Sequence, residues 1–297
     1  MRILLITLSN IGDAVMTTPV MQRLHQLYPE AVVDLVADRR SSRLFAACPY
    51  VGEIHHKDKK KGWRGVLALV RRLRRRRYDL IVDLRTDGLA LLLRGRRRLM
   101  KWGRSPRGPH AVEDLAAIIA PIDAEARIPP MRLWLDETSR AQAEAMLASL
   151  PGRRWLALAP GANSDHKIWP AERFSELANR LGEHFDACVL LGSPADRPRC
   201  AAVARDLALP QLDLSGETDL LTAAAVLDRM RLFVGNDSGL GHMAAAMATP
   251  TVTVFGPGRP ERYHPWGPRA RWVVQPEQDL ARLSVEEVLP AAEELLR

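Results

Sequence analysis

The sequence predicts an α/β protein of two Rossmann-like domains, residues 1–150 and 151–297, whose parallel sheets face each other across a cleft. Three observations carry this prediction. Short apolar runs alternate with segments whose apolar residues recur at helical spacing, which is the rhythm of parallel strands covered by helices. A length of 297 residues corresponds to two domains of roughly 150 residues each. Pro151-Gly152 breaks the rhythm midway, and a second series starts at Trp155.

The elements follow in order. Ile3–Leu8 is a continuous apolar run, as expected of a strand buried on both faces. Asp13 to Tyr28 carries Val15, Met16, Val20, Leu24 and Leu27 at helical spacing. Val32–Val36 is the next strand, Trp63–Leu73 a helix, and Leu80–Val82 a strand ending at Asp83. Glu137–Leu150 is a helix before the break. The second series reads as strand 155–159, helix 170–181 with Pro170 in its first turn, strand 188–191 and helix 196–207. It continues with helix 221–229, strand 232–234, helix 240–247 and strand 251–255. A last helix spans 284–296, where Ser284 and Glu287 have capping-box spacing.

Composition excludes several classes. Apolar residues make up 47% and charged residues 26% of the chain, too balanced for a disordered protein. No apolar run approaches the ~18 residues of a membrane span, and the N-terminal run meets Asn10 and Asp13 where a signal-peptide cleavage site should be. Cys48, Cys188 and Cys200 form no CxxC pair. This suits a reducing cytoplasm and excludes a disulfide scaffold or a cysteine-based zinc site.

The net charge of +8 is unevenly spread. Residues 1–150 hold 27 Lys and Arg against 16 Asp and Glu, whereas 151–297 hold 16 against 19. The segment 57–107 alone holds 19 basic and 4 acidic residues, concentrated in 57–61, 71–77 and 94–98. Such a field attracts polyanions: nucleic acid, anionic lipid headgroups or a phosphorylated substrate. The alternative is a solvated face that aids solubility. Aromatic residues are sparse there, which argues against a single-strand stacking surface.

In open α/β sheets, ligands bind beyond the carboxyl ends of strands, at helix N-termini. Four turns fit that position. In 9–13, Gly12 permits a tight turn and Asp13 sits in the first helical turn, as a dipole-favoured side chain or as a general base. In 160–170, Gly161 and small residues allow close backbone approach to an anion, and Lys167 is either a point charge for it or a surface lysine. In 235–242, a Gly- and Ser-rich turn opens a helix, as a cap over a buried His242 or as a diphosphate dock. In 215–219, Glu217 or Thr218 either meets a ribose or base or belongs to a plain helix start. There is no Walker loop, no Gly-x-Gly-x-x-Gly and no Gly-x-Ser-x-Gly elbow, which disfavours P-loop, dinucleotide and serine-hydrolase chemistry. There is also no Asp-x-Asp pair to clamp a metal–diphosphate.

Several of these segments together resemble one family. They are Met1–Pro19, Tyr78–Leu84, Pro160-Gly161 with Lys167-x-Trp169-Pro170-x-x-Arg173-Phe174, and Val234–Ala246 with Phe255-Gly256-Pro257. In order and spacing they are similar to the glycosyltransferase family 9 heptosyltransferases, nearly end to end. The resemblance implies a GT-B fold, with the C-terminal helix packing back on the first domain. It also implies inverting transfer of heptose from ADP-heptose to a Kdo or heptose of the lipopolysaccharide inner core, with no metal or other cofactor. By that resemblance Asp13 is the base, and Lys167 contacts the donor diphosphate. Asp237, Ser238, Gly239 and His242 hold the diphosphate and sugar, Thr218 lies near the adenine, and Asp196 near the ribose. Ala162 and Asn163 stand where some members have Thr-Thr or Ser, so the expected donor contacts there come from the backbone. Lys57, Lys60, Lys61, Arg64 and Arg104 are the candidate acceptor contacts. The implied partner is a lipid A–core acceptor at the inner-membrane face, the implied location cytoplasmic and peripheral to that membrane, with nucleic acid not expected. A GT-B transferase using another sugar nucleotide, a basic nucleic-acid-binding protein and a catalytically inactive binding member are the competing readings.

Overall fold

The alternating pattern forms two parallel sheets, one in each of two compact units, Met1–Trp134 and Leu135–Arg297. The computed structural model describes residues 1–57, 62–85, 88–101, 108–123, 125 and 127–297. The unit boundary therefore falls ahead of the helix at 137, not after it at the expected 150/151. The reason is packing: α5 (Glu137–Leu147) lies against α8 (Leu220–Leu227) of the second unit, and Gln142 accepts a hydrogen bond from the Thr222 hydroxyl at 2.8 Å.

The first unit holds β1 (Arg2–Ile6), β2 (Val32–Ala37), β3 (Val51–His56), β4 (Tyr78–Asp83) and β5 (Gly95–Met100) in the order β3-β2-β1-β4-β5, with every adjacent pair parallel. Its helices are α1 (Ile11–Met16), α2 (Thr18–Leu27), α3 (Gly62–Leu73) and α4 (Ala111–Ile119). Ile3, Leu4, Leu5 and Ile6 are fully buried, so the central strand reads as an unbroken apolar run. The single helix expected from Asp13 to Tyr28 is two helices. The Thr17 and Thr18 hydroxyls donate back to the Ala14 and Val15 carbonyls at 2.6 and 2.7 Å, and Pro19 in the first turn of α2 has no N–H to continue the ladder.

The second unit orders its strands β11-β10-β9-β6-β7-β8. These are β6 (Trp155–Ala159), β7 (Ala187–Leu190), β8 (Gln211–Asp213), β9 (Leu232–Asn236), β10 (Thr251–Phe255) and β11 (Ala270–Val274), again all parallel. Its remaining helices are α6 (Ala171–Arg180), α7 (Arg197–Arg205), α9 (Gly239–Ala246), α10 (Pro260–Tyr263) and α11 (Val285–Leu296). Pro170 is extended, at φ −54° and ψ 141°, and caps α6 rather than entering its first turn. The Ser284–Glu287 capping box forms as its spacing predicts, with the Ser284 amide donating to Glu287 at 2.8 Å. The helix α11 buries Val285, Val288 and Ala292 in the second unit's own core.

Candidate functional site

In both sheets the strand order reverses beside the first strand of the unit. Chain growth goes from β1 through β2 to β3 on one side, then crosses to β4 and β5 on the other. In the second unit it goes from β6 to β7 and β8, then crosses to β9, β10 and β11. At such a switch point the two neighbouring crossovers leave in opposite directions and open a crevice at the carboxyl ends. The crevices lie between β1 and β4 and between β6 and β9. The predicted turns at 9–13, 160–170 and 235–242 all start there.

At the second switch point Lys167 and Asp237 meet. The Lys167 Nζ donates to Asp237 Oδ2 at 2.5 Å. Lys167 comes from the turn after β6 and Asp237 from the turn after the neighbouring β9, so parallel pairing sets the two turns side by side. Behind them stands Asn236, fully buried. Its Nδ2 donates to the Pro160 carbonyl at 2.8 Å, and its Oδ1 accepts from the Trp169 amide at 3.0 Å. Both ends of the 160–169 turn thus hang on one side chain. Trp169 is fully buried as well and donates Nε1 to the Leu283 carbonyl at 2.9 Å. Sequence reasoning missed Asn236 as a functional residue. Its position as the last strand residue ahead of Asp237-Ser238-Gly239 was the available signal.

Ser238 is the N-cap of α9, yet its side chain makes no capping bond and its Oγ is buried without a hydrogen-bond partner. Among the described residues, the first amides of α9 therefore lack a side-chain acceptor. Together with the helix dipole, they form a partial positive charge beside Lys167. Gly239 begins the helix, and His242 is buried one turn on.

Asp196, Ala162, Asn163 and Thr218 form the adjoining part of the same edge. Gly161 is in contact with Asp196, where an added Cβ would lie 2.3 Å from the carboxyl carbon, so no larger residue fits that turn without displacing Asp196. Asp196 accepts from the Ser193 amide at 2.8 Å and the Ser193 hydroxyl at 2.6 Å, which closes a capping box over the turn after β7. Ala162 is half-buried and Asn163 exposed just past Gly161. Thr218 is half-buried in the turn after β8, and Gly216 in that turn, at φ +73°, donates its amide to the Gly192 carbonyl at 2.9 Å. The Arg199 guanidinium joins the two groups, donating to Asp165 at 2.7 Å and lying 3.8 Å from Asp196.

At the first switch point Asp13 lies in the first turn of α1, half-buried, and accepts from Asn10 Nδ2 at 2.9 Å. Lys57 follows β3, and Arg64 is exposed in the first turn of α3, its guanidinium 5.6 Å from the Trp63 ring centroid. Lys60, Lys61 and Arg104 lie outside the described residues.

The basic segment is only partly an open field. Asp34 is fully buried on β2 and accepts from Arg2 Nη1 at 2.9 Å, Arg76 Nη1 at 3.1 Å and the Glu53 amide at 2.9 Å. Glu53 in turn pairs with Arg72, and with Arg76 at 3.0 Å. Burial alone would raise the Asp34 carboxyl, but the Glu53 amide and the Arg2 and Arg76 guanidiniums outweigh it and hold it below the usual range. Arg97 and Arg98 are also engaged: they donate to the Pro121 carbonyl at 2.9 Å and to the Ala90 and Leu93 carbonyls at 3.1 and 2.6 Å. Arg72, Arg76, Arg97 and Arg98, which read as part of a polyanion field, therefore hold the first unit together.

Among the described residues no group of three His, Cys, Asp or Glu is placed to hold a metal ion. All three cysteines are free and buried, and burial pushes the Cys188 and Cys200 thiols up to about 12. No helix among the described residues is long and apolar enough to cross a membrane.

Comparison with known proteins identifies a family. The profile of Glycosyltransferase family 9 (heptosyltransferase) matches residues 97–292. Lipopolysaccharide heptosyltransferase 2 of Salmonella typhimurium is 29% identical over 305 residues, covering 91% of this chain and 87% of that protein. Lipopolysaccharide heptosyltransferase 3 of Escherichia coli K12 is 26% identical over 283 residues, covering 86% and 82%. Among solved structures, the Escherichia coli ADP-heptose LPS heptosyltransferase II superposes with a TM-score of 0.80 at 25% identity, covering 100% of this chain and 98% of that one. The two parallel-sheet units are those of the GT-B fold.

Proposed function

The chain belongs to glycosyltransferase family 9, the heptosyltransferases, and we propose on that footing that it transfers a heptose from ADP-heptose to a Kdo or heptose of the lipopolysaccharide inner core, with inversion. The observation that carries the reading is the Lys167–Asp237 pair beside the uncapped start of α9, at the β6/β9 switch point. That arrangement suits a diphosphate. Lys167 exchanges a carboxylate partner for a phosphate oxygen at small electrostatic cost, and the α9 amides accept the remaining negative charge. Asp237, released from Lys167, becomes an acceptor for sugar hydroxyls, with Ser238, Gly239 and His242 lining the same turn. In this reading Asp196 with Ser193 meets the ribose, Thr218 the adenine, and the backbone at Ala162 and Asn163 adds a further donor contact.

The chemistry is one displacement. A hydroxyl oxygen of the acceptor attacks the anomeric carbon from the face opposite the leaving group, and Asp13 takes the hydroxyl proton. The bond from that carbon to the diphosphate oxygen breaks, and ADP leaves with the electron pair. The new bond forms on the opposite face, so the anomeric configuration inverts. Charge on the leaving ADP is met by Lys167 and the α9 N-terminus, so the reading calls for no metal or other cofactor. Lys57 and Arg64 are the described candidates for the phosphates and carboxylates of a lipid A–core acceptor. The acceptor is taken at the inner-membrane face, where each surface Lys or Arg adds about 1 kcal/mol of attraction, by a cytoplasmic enzyme peripheral to that membrane. Nucleic acid has no part in the reading.

The test is a transfer assay with ADP-heptose and lipopolysaccharide truncated at successive core positions, read by product mass. A gain of one heptose on a Kdo- or heptose-terminated acceptor supports the proposal. Transfer only from a different sugar nucleotide, or none from any, overturns it.

A further inference from the structure

Seven large apolar side chains are exposed among the described residues, and four of them gather in one part of the first unit: Trp63 at 71%, Leu91 at 55%, Leu92 at 53% and Leu67 at 38%. Trp63 and Leu67 lie on α3, and Leu91 and Leu92 on the 3-10 turn Leu89–Leu92. These two elements cover the same face of the sheet. The inner sides of both, through Val66, Leu69, Val70 and Leu73 on α3 and Leu89, Ala90 and Leu93 on the turn, enter one apolar cluster with Leu4, Ile6 and Ile81. Their outer sides therefore form one outward layer.

That layer is rimmed by arginine. On α3, Trp63, Leu67 and Arg71 succeed one another every four residues along the outer stripe, and Arg74 and Arg75 follow, exposed, past its end. On β5, Arg98 reaches the carbonyls of Ala90 and Leu93, which places it on the side of the 3-10 turn. Strand alternation puts exposed Arg96 on that side too. Unlike Arg72 and Arg76, which pair with Glu53 and Asp34, Arg71, Arg74, Arg75 and Arg96 have no part in the Asp34 network.

We infer that the outer layer of α3, Leu89–Leu92 and β5 docks on an anionic bilayer, with Trp63, Leu67, Leu91 and Leu92 entering the headgroup boundary and Arg71, Arg74, Arg75 and Arg96 meeting lipid phosphates. Charge complementarity selects an anionic partner. The apolar set selects lipid over nucleic acid: three leucines add nothing to a phosphate contact, and one tryptophan is no stacking platform. The surface deepens the proposed function and rests on it only for why a bilayer is at hand, since a glycolipid acceptor is presented there.

The test uses the full chain and vesicles of phosphatidylcholine with or without one-third phosphatidylglycerol, scored by co-sedimentation at fixed salt. Wild type should bind the anionic vesicles and not the neutral ones. Replacing Arg71, Arg74 and Arg75 by Gln together should weaken that binding about a hundredfold, at about fivefold per charge. Replacing Trp63, Leu91 and Leu92 by Ser together should weaken it at least about tenfold. Both variants should keep the wild-type melting temperature and its heptose transfer to a soluble, delipidated core acceptor. Unchanged vesicle binding by the Ser variant, or tighter wild-type binding to a single-stranded RNA than to the anionic vesicles at the same salt, overturns the inference. Vesicle binding that persists in a wild type unable to transfer heptose to the soluble acceptor overturns the proposed reaction and leaves the surface standing.

Discussion

The two switch points are built differently. At β6/β9, the side chains that meet are held from behind: Asn236 fixes both ends of the 160–169 turn, Gly161 packs against Asp196, and Lys167 is already seated on Asp237. At β1/β4, Asp13 has one side-chain partner among the described residues, Asn10, and stands half-buried. The polar bonds that stiffen the first unit lie elsewhere, in the Asp34 and Glu53 cluster. On the proposed function, the contrast is a division of labour. A diphosphate carries fixed charge from the moment it binds, and a preorganised set of donors grips it best. A base needs only one well-aimed carboxylate, and its surroundings can adapt to the acceptor.

The largest expected effect breaks the less supported side. Asp13→Ala should lower transfer by about 10²–10⁴-fold, the range for losing a general base, while leaving ADP affinity unchanged. Steady-state transfer and calorimetric ADP titration read the two quantities separately. Next, Lys167→Ala should cost roughly 10²–10³-fold in rate, as for loss of one preorganised donor, and should weaken ADP as well. Its partner sharpens the contrast. Asp237→Asn frees Lys167 and removes a negative charge, so ADP should bind as tightly as to wild type or more so, while transfer falls. If Asp237→Asn instead loses ADP affinity, the exchange of partners at Lys167 is wrong.

Asn236→Ala should rank third. It leaves the Trp169 amide and the Pro160 carbonyl without their partner, a loss of about 1–3 kcal/mol for buried groups. Denaturant unfolding reads it directly. Because Asn236 touches no candidate ligand, ADP affinity should fall only as the 160–169 turn loosens.

The smallest effect lies in the first unit and depends on pH. The Asp34 and Glu53 carboxyls are both held below their ordinary values. A carboxyl lowered in the folded state contributes stability that is present above its unfolded value, near 4, and lost as pH falls through its folded value. Thermal unfolding of the wild type should therefore steepen in its pH dependence below about pH 4, and Arg76→Ala should shallow that limb. Equal acid limbs in the two proteins would remove Arg76 from the account.

How much of this the sequence revealed differs between the same two regions. The strands β1, β6 and β10 are legible because both faces are buried, so each reads as an unbroken apolar run. The edge strand β5 is not, because Gly95–Met100 carries three exposed arginines and reads as surface charge. Arginines at an edge deter pairing with another chain, so the feature that hides the strand is one that suits its place. The strands β3, β8 and β11 also escape the pattern for want of a continuous apolar run. Lys167 and Asp237 are legible as polar residues in Gly-rich turns after apolar runs. Their contact is not, since it depends on β9 pairing with β6 across some seventy residues of chain. Likewise nothing in the run Arg71–Arg77 tells which arginines reach Asp34 and Glu53, because those carboxylates are supplied by neighbouring strands.

The division of labour between the two switch points is tested most directly by calorimetric titration of ADP into wild type, Asp13→Ala and Lys167→Ala. The account predicts wild-type affinity for Asp13→Ala and at least about a tenfold loss for Lys167→Ala, the equivalent of one charge-assisted hydrogen bond. Equal affinity in all three proteins, or a loss confined to Asp13→Ala, would contradict it.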